Sequence, residues 1–264
     1  MTAAWPVTPS PDERVPPDPP QRSPFAVLYR PVGALDLLRG EPAVLRGLSP
    51  FDLEPAREVP NYHGQQGRVG WYASAKMGAH LRFESGLERL RMQFLDFDPG
   101  VTAFAAQPFT LEWTEGGKTY HYTPDLLIVR PGRPRLVEDV KPAAFHGSPR
   151  LQRAFGAARD ALAPVGVDFG LWASPETTVV RNVQYLAGYR HAPRGLTTYL
   201  KPVLAALRDR PRTLAELAER TGPPALTRPV IYHLIWAHRV HFDLTQPLSH
   251  GTVLSRAPQP GEAT

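Results

Sequence analysis

Between residues 101 and 140 five short strand-like stretches alternate with turn residues, and this rhythm confines the chain to a sheet-centred fold. Residues 101–105 and 109–113 read as strands, and Gly116-Gly117 is a hairpin turn signal with 118–122 as the return strand. Residues 126–130 and 135–140 are further strands, parted by Pro131-Gly132-Arg133-Pro134. Upstream, Leu87, Leu90, Phe94 and Leu95 recur at helical spacing, which predicts an amphipathic helix over 83–97 closed by Asp98-Pro99-Gly100. Downstream come a helix over 150–162 and a buried strand over 167–173. This order predicts an α/β fold, a central mixed sheet flanked by helices, over residues 81–190.

The flanks read differently. Residues 1–24 are Pro-rich and without hydrophobic periodicity, as expected of a disordered or extended tail. Residues 25–80 form an N-terminal extension broken by Pro60, Gly64, Gly67 and Gly70, with a short strand around Val69-Gly70-Trp71-Tyr72. Past residue 180 the pattern becomes helical, first over 182–190 and, after the link Pro193-Arg194-Gly195, over 199–208, 213–220 and 228–238. Thr213 and Glu216 have capping-box spacing, Gly222-Pro223-Pro224 reads as a turn, and Pro229 fits the start of the third helix. Residues 240–244 and 252–254 then complete a winged helix-turn-helix over 196–256, with 257–264 as a flexible tail.

With 264 residues, 42% of them hydrophobic, the chain can bury two cores. It has no apolar run of membrane-spanning length and no secretory start, and its lack of cysteine excludes disulfides and Cys-based zinc sites. These features agree with a cytoplasmic protein. The net charge is +5, and it is unevenly spread: residues 1–180 carry 19 Lys/Arg against 20 Asp/Glu, residues 181–264 carry 11 against 5. A basic C-terminal third suits an anionic partner such as nucleic acid.

Four residues suggest chemistry. Asp139 and Lys141 sit two apart on one strand, so both side chains face the same way, while Glu138 faces the other. Asp125 lies 14 residues before Asp139, enough for two adjacent strands and a short turn, and Pro124 holds the backbone extended as it enters an apolar strand. Neighbouring carboxylates repel unless a cation lies between them, and Lys141 relieves only part of that repulsion. Glu88 lies on the preceding helix at the edge of its apolar stripe, with Glu84 one turn earlier on the same side. Each residue taken alone also has a plainer reading: Asp125 as a strand-initiating turn residue, Asp139 and Lys141 as a surface ion pair, Glu88 as part of a solvated face beside Arg89 and Arg91.

Ser85-Gly86-Leu87-Glu88, Phe94-Leu95, Val101, Gln107, Pro124-Asp125-Leu126-Leu127-Ile128 and Asp139-Val140-Lys141-Pro142-Ala143-Ala144 together closely resemble the TnsA family. These are the end-cleaving endonuclease subunits of heteromeric transposases, within the restriction-endonuclease-like PD-(D/E)xK superfamily. The Ser-x-Leu-Glu and Val-Lys-Pro-Ala-Ala strings are the most specific parts, and the resemblance spans residues 58–190. It implies a metal site of Glu88, Asp125 and Asp139 for Mg²⁺ or Mn²⁺, with Lys141 as the catalytic lysine. Asp139 stands where the family also tolerates Gln. Gln107 reads as a residue that fixes a strand start or supports the site from behind.

By the same resemblance the protein cleaves the 5′, non-transferred strand of double-stranded DNA at transposon ends. An integrase-like transposase cuts and joins the other strand, and an ATP-dependent regulator recruits the pair. The sequence holds no Walker A loop and no second nuclease core, so these partners are expected to be separate proteins. Arg208, Arg210, Arg212, Arg220, Arg228 and Arg239 gather in the C-terminal module. Arg208, Arg210, Arg212, Thr227, Arg228 and Tyr232 are the candidate nucleic-acid contacts. Docking of a partner protein is an equally open use of that module. His233 and His238 read as solvated helix residues and Trp236 as core. Two other functions stay open: a nuclease of the same core in repair or restriction, and a non-catalytic DNA-binding assembly factor with a decayed core. Zinc hydrolysis is disfavoured because the histidines lack clustered ligand spacing.

Overall fold

The computed structural model describes residues 24–57, 69–142 and 147–257. The expected Pro-rich tail up to residue 23, the breakers Pro60, Gly64 and Gly67, the Ala143-Ala144 pair and the tail from residue 258 lie outside the described residues. The protein is a mixed α/β structure whose chain divides into two compact units, Met1–Gln66 with Thr102–Ala173, and Gly67–Val101 with Ser174–Thr264. This division differs from the expected boundaries: the 81–190 segment contributes to both units, and the C-terminal helices share a unit with residues 67–101.

Among its described residues the first unit contains two sheets and one α-helix. Strands β6 (Ala103–Ala106), β9 (Leu126–Val129), β10 (Arg135–Val140) and β11 (Val167–Trp172) form a four-stranded sheet in the order β11-β10-β9-β6. Its β10–β11 pair is parallel and the other pairs are antiparallel, so it is a mixed sheet. The parallel pair requires a crossover, supplied by α2 (Pro149–Leu162). The second sheet holds β1 (Ala26–Pro31), β2 (Leu38–Gly40), β3 (Leu53–Glu54), β7 (Thr110–Glu115) and β8 (Lys118–Tyr122).

One central sheet was expected to take all the strands between 101 and 140, but the β7–β8 hairpin leaves it and pairs instead with β1 of the N-terminal extension. The exit lies at Gln107-Pro108, where Gln107 has a φ of +41° and Pro108 cannot donate to a ladder. Leu127 and Val137 from one sheet, Leu111, Trp113 and Tyr122 from the other, and Phe155, Ala158 and Leu162 from α2 share a single core. Each large apolar side chain buried there contributes about 1.5–3 kcal/mol.

The second unit holds the β4 (Gly70–Ser74) and β5 (Ala79–Phe83) hairpin, α1 (Gly86–Phe97) and α3 (Thr177–Leu186). It also holds α4 (Leu200–Ala206), α5 (Leu214–Thr221), α6 (Pro224–Trp236) and the short strands β12 (Arg212–Thr213), β13 (Val240–His241) and β14 (Val253–Arg256), ordered β12-β14-β13. Helix α1 begins at Gly86 rather than near Phe83, because Phe83 ends β5 and Ser85 is the N-cap. Buried Asp96 ties the hairpin to α1 by accepting hydrogen bonds from the hydroxyls of Tyr72 and Ser74 (2.8 and 2.6 Å) and the backbone N–H groups of Ala75 and Lys76 (2.9 and 3.0 Å). Helix α6 starts a turn earlier than expected, with Pro224 in its first turn and Pro229 inside it. Among the described residues no helix is long and apolar enough to cross a membrane.

Candidate active site

The site is built on the β9–β10 ladder. Leu127 pairs with Val137 and Leu126 with Glu138, so the next step outward sets Asp125 opposite Asp139. Pro124 delivers Asp125 in extended conformation, and hydrogen bonds fix it. The Asp125 N–H donates to Asp139 Oδ1 (3.2 Å), and Asp125 Oδ2 accepts from the Val140 N–H (2.8 Å) and from Lys141 Nζ (2.7 Å). The Lys141 backbone N–H donates to the Trp172 carbonyl (3.2 Å) and prolongs the β10–β11 ladder, which keeps Lys141 in the same alternation as Asp139. The expected proximity of these three residues is therefore present.

Burial gives the cluster its electrostatic character. Asp125 is 5% exposed and Asp139 1%. Burial, reinforced by the negative charge of Asp125, raises the pKa of Asp139 to about 6, although Lys141 and hydrogen bonding pull it back. Tyr122, at the end of β8, was not singled out in the sequence. Burial pushes its hydroxyl well above the usual phenol range, and the charges of Asp139 and Asp125 push it further. That hydroxyl lies close enough to Asp139 to interact but closes no well-formed hydrogen bond. Only the pairing of β7 with β8 brings Tyr122 here, and no local motif announces it.

Two buried, facing carboxylates, of which Asp139 has a raised pKa, form a hard-oxygen donor pair whose repulsion a divalent cation relieves. Mg²⁺ binds through one or two carboxylates and keeps several waters, so the Asp125–Asp139 pair fits it. Among the described residues no group of three or more His, Asp or Glu side chains could hold a metal.

Glu88 belongs to the other unit. The Ser85 hydroxyl donates to Glu88 Oε1 (2.9 Å), the Glu84 N–H donates to Oε2 (2.8 Å), and the Glu88 N–H donates back to Ser85 Oγ (3.1 Å). This is a capping box. The Ser-x-x-Glu spacing builds this local cap at the start of α1.

The C-terminal candidates part into two groups. Arg208 and Arg210 are exposed, and Arg228 is half-buried. Arg212 is buried, donating through Nε to the Ala206 carbonyl (2.6 Å) and through Nη1 to Glu216 (2.6 Å). Arg210 shares that carboxylate at 2.5 Å, and its hydrogen bond, with that of Arg212, lowers the Glu216 pKa. Thr227 is fully buried and donates to the Ala218 carbonyl (3.0 Å). Tyr232 is buried, its ring against Tyr185 and Tyr189 at 5.2 and 4.8 Å. Thr227 and Tyr232, expected as nucleic-acid contacts near the start of the recognition helix, are therefore core residues, one held to α5 through Ala218 and the other packed on Tyr185 and Tyr189. His233 and His238 are half-buried and bond the Tyr189 and Phe97 carbonyls instead of water, and Trp236 is core as expected.

No family model matches this sequence, and no curated protein matches it.

Proposed function

We propose that this protein is a metal-dependent DNA endonuclease with a restriction-endonuclease-like core, acting as the TnsA-like subunit that cleaves the 5′ strand at transposon ends. The observation that carries this reading is the Asp125–Asp139–Lys141 cluster: two facing carboxylates at the end of a mixed sheet, with a lysine 2.7 Å from one of them. An ordinary ion pair uses one carboxylate per lysine, and the surplus buried carboxylate calls for a further cation. The assignment to transposition rests on the sequence strings around these residues.

Asp125 and Asp139 would hold Mg²⁺ or Mn²⁺; Glu88 as a further ligand is what the family resemblance alone implies. The ion, when bound, supplies Lewis acidity toward a phosphate oxygen and lowers the pKa of water. The residues do the rest. The backbone N–H groups of Asp125 and Val140 fix the Asp139 and Asp125 carboxylates, so they need no reorganisation when substrate arrives. Lys141 leaves Asp125 for the scissile phosphate, where its ammonium orients water and offsets the charge that develops in the transition state. The α4–α6 helices with β12–β14 act as a winged helix that presents Arg208, Arg210 and Arg228 to DNA phosphates. The ATP-dependent regulator and the integrase-like transposase are separate chains in this reading.

The direct test is calorimetric titration of Mg²⁺ and Mn²⁺ into wild type, Asp125→Asn and Asp139→Asn, alongside nicking of supercoiled DNA. Metal binding and metal-dependent nicking that both variants lose support the proposal. Wild-type binding of neither ion rejects it.

A further inference from the structure

Gln107 has no assigned task in this chemistry, yet its placement is unusual in three independent ways. It is 1% exposed, and neither its Oε1 nor its Nε2 has a hydrogen-bond partner among the described residues. Its φ is +41°, in the left-handed region that few residues other than glycine enter, and it precedes a proline, which narrows its choices further. It also lies beside the carboxylates. Ala106 pairs with Leu126, and one step outward the Gln107 N–H donates to the Asp125 carbonyl (3.0 Å) while the Gln107 carbonyl accepts from the Ala56 N–H (2.8 Å). Gln107, Asp125 and Asp139 thus occupy one row across β6, β9 and β10.

Buried amides are nearly always paired, and strained backbone persists where function requires it. Merely starting a strand needs neither the carboxamide nor the strain, since glycine or asparagine adopts this conformation more readily. We infer that Gln107 is a phosphodiester-binding residue of the site, with Nε2 donating to a non-bridging oxygen of the scissile group beside Asp125. The free Oε1 remains available to a water at the same place. This inference rests on the nuclease reading and adds to it a neutral donor that recognises the phosphate without a charge. An amide suits that role because another carboxylate would repel the phosphate, and another cation would compete with Lys141 for Asp125.

The test uses the full chain, with Gln107→Met and Gln107→Gly as variants. Side-chain amide resonances of ¹⁵N-labelled wild type, with Gln107 assigned from its absence in the variants, are followed as a short DNA duplex is added with Mg²⁺. The Gln107 amide signals should shift with the duplex. Nicking should fall about 10²-fold in both variants, the size expected for loss of a transition-state donor. Thermal unfolding supplies a readout without substrate. Gln107→Met removes an unpaired buried amide at similar volume, so it should not melt below wild type.

If the duplex moves backbone signals of Asp125 and Lys141 but not the Gln107 amide, this inference fails and the nuclease reading stands. The inference also fails if both variants nick normally or if Gln107→Met melts well below wild type, the mark of a structural amide. If no site signal responds to DNA and wild type never nicks, both readings fall together.

Discussion

Neutralising Asp139 should make the metal-free protein more stable, not less. The Asp139 carboxyl has a pKa of about 6 in the folded protein against 3.8 ordinarily, a rise of about two units, caused first by burial and then by Asp125. A group whose folded pKa is raised favours folding while it is protonated, and that contribution is lost as pH rises through the folded pKa. The loss therefore begins above pH 3.8 and is complete above about pH 7. At 1.36 kcal/mol per unit, the ionised carboxylate costs on the order of 3 kcal/mol at pH 7.5, and about half of that at pH 5. Asp139→Asn keeps the Oδ1 that accepts the Asp125 N–H and removes the charge.

By thermal unfolding in chelator, that variant should melt roughly 6–12 °C above wild type at pH 7.5, at about 2–4 °C per kcal/mol for a chain of this size. The gap should narrow as pH falls toward 4. Added Mg²⁺ should raise the wild-type melting temperature and leave the variant unmoved. A variant that melts below wild type at pH 7.5, with a difference independent of pH, would refute the electrostatic account of the pair.

Lys141→Ala leaves Asp125 buried beside Asp139 without its ammonium, so metal-free stability should fall by about 1–3 kcal/mol and nicking by about 10²–10³-fold; denaturant melts and single-turnover nicking measure the two. Tyr122→Phe should cost little stability, because the hydroxyl has no well-formed partner, while the pKa of Asp139 moves further up; a lower limb of the pH–rate profile that fails to move upward contradicts this. Asp96→Ala strands two hydroxyls and two backbone N–H groups and should cost at least about 3 kcal/mol, read by denaturant melts. Arg208→Ala should lower DNA affinity and reduce the salt slope by about 0.9 per phosphate lost. Arg212→Ala should act chiefly on stability, since its guanidinium is committed to Ala206 and Glu216. Fluorescence anisotropy at several salt concentrations tells these two apart.

Much of the site was readable in the sequence because its logic is local. Period-two alternation put Asp139 and Lys141 on one side, and a strand-turn-strand of fixed length brought Asp125 back beside them. The strands expected between 101 and 173 also fall close to the observed ones, since Gly-Gly and Pro-Gly turn signals bound several of them. What the sequence did not reveal depends on pairing partners far along the chain. Nothing local says that β7 and β8 join β1, or that Tyr122 is thereby carried to Asp139. The β4–β5 hairpin was half-seen through Val69-Gly70-Trp71-Tyr72, but its return strand, Ala79–Phe83, in which Ala79, Leu81 and Phe83 alternate with His80 and Arg82, was missed because Phe83 was read as the start of the following helix. In the last helix, Pro229 resembled a first-turn proline although the helix starts at Pro224, and the burial of Thr227 and Tyr232 depends on partners elsewhere in the chain, Ala218 and the Tyr185–Tyr189 pair. The Ser85–Glu88 pair carried two meanings in one spacing, a family string and a capping box.

The most direct test of the central claim is strand-resolved cleavage of supercoiled DNA bearing the transposon ends, with Mg²⁺ and the partner transposase present. Wild type should cut the 5′ strand at each end. Asp125→Asn and Lys141→Ala should lose that cut while still binding the partner and leaving the opposite-strand cut intact. Equal 5′ cutting by wild type and both variants would place the chemistry elsewhere and contradict the account.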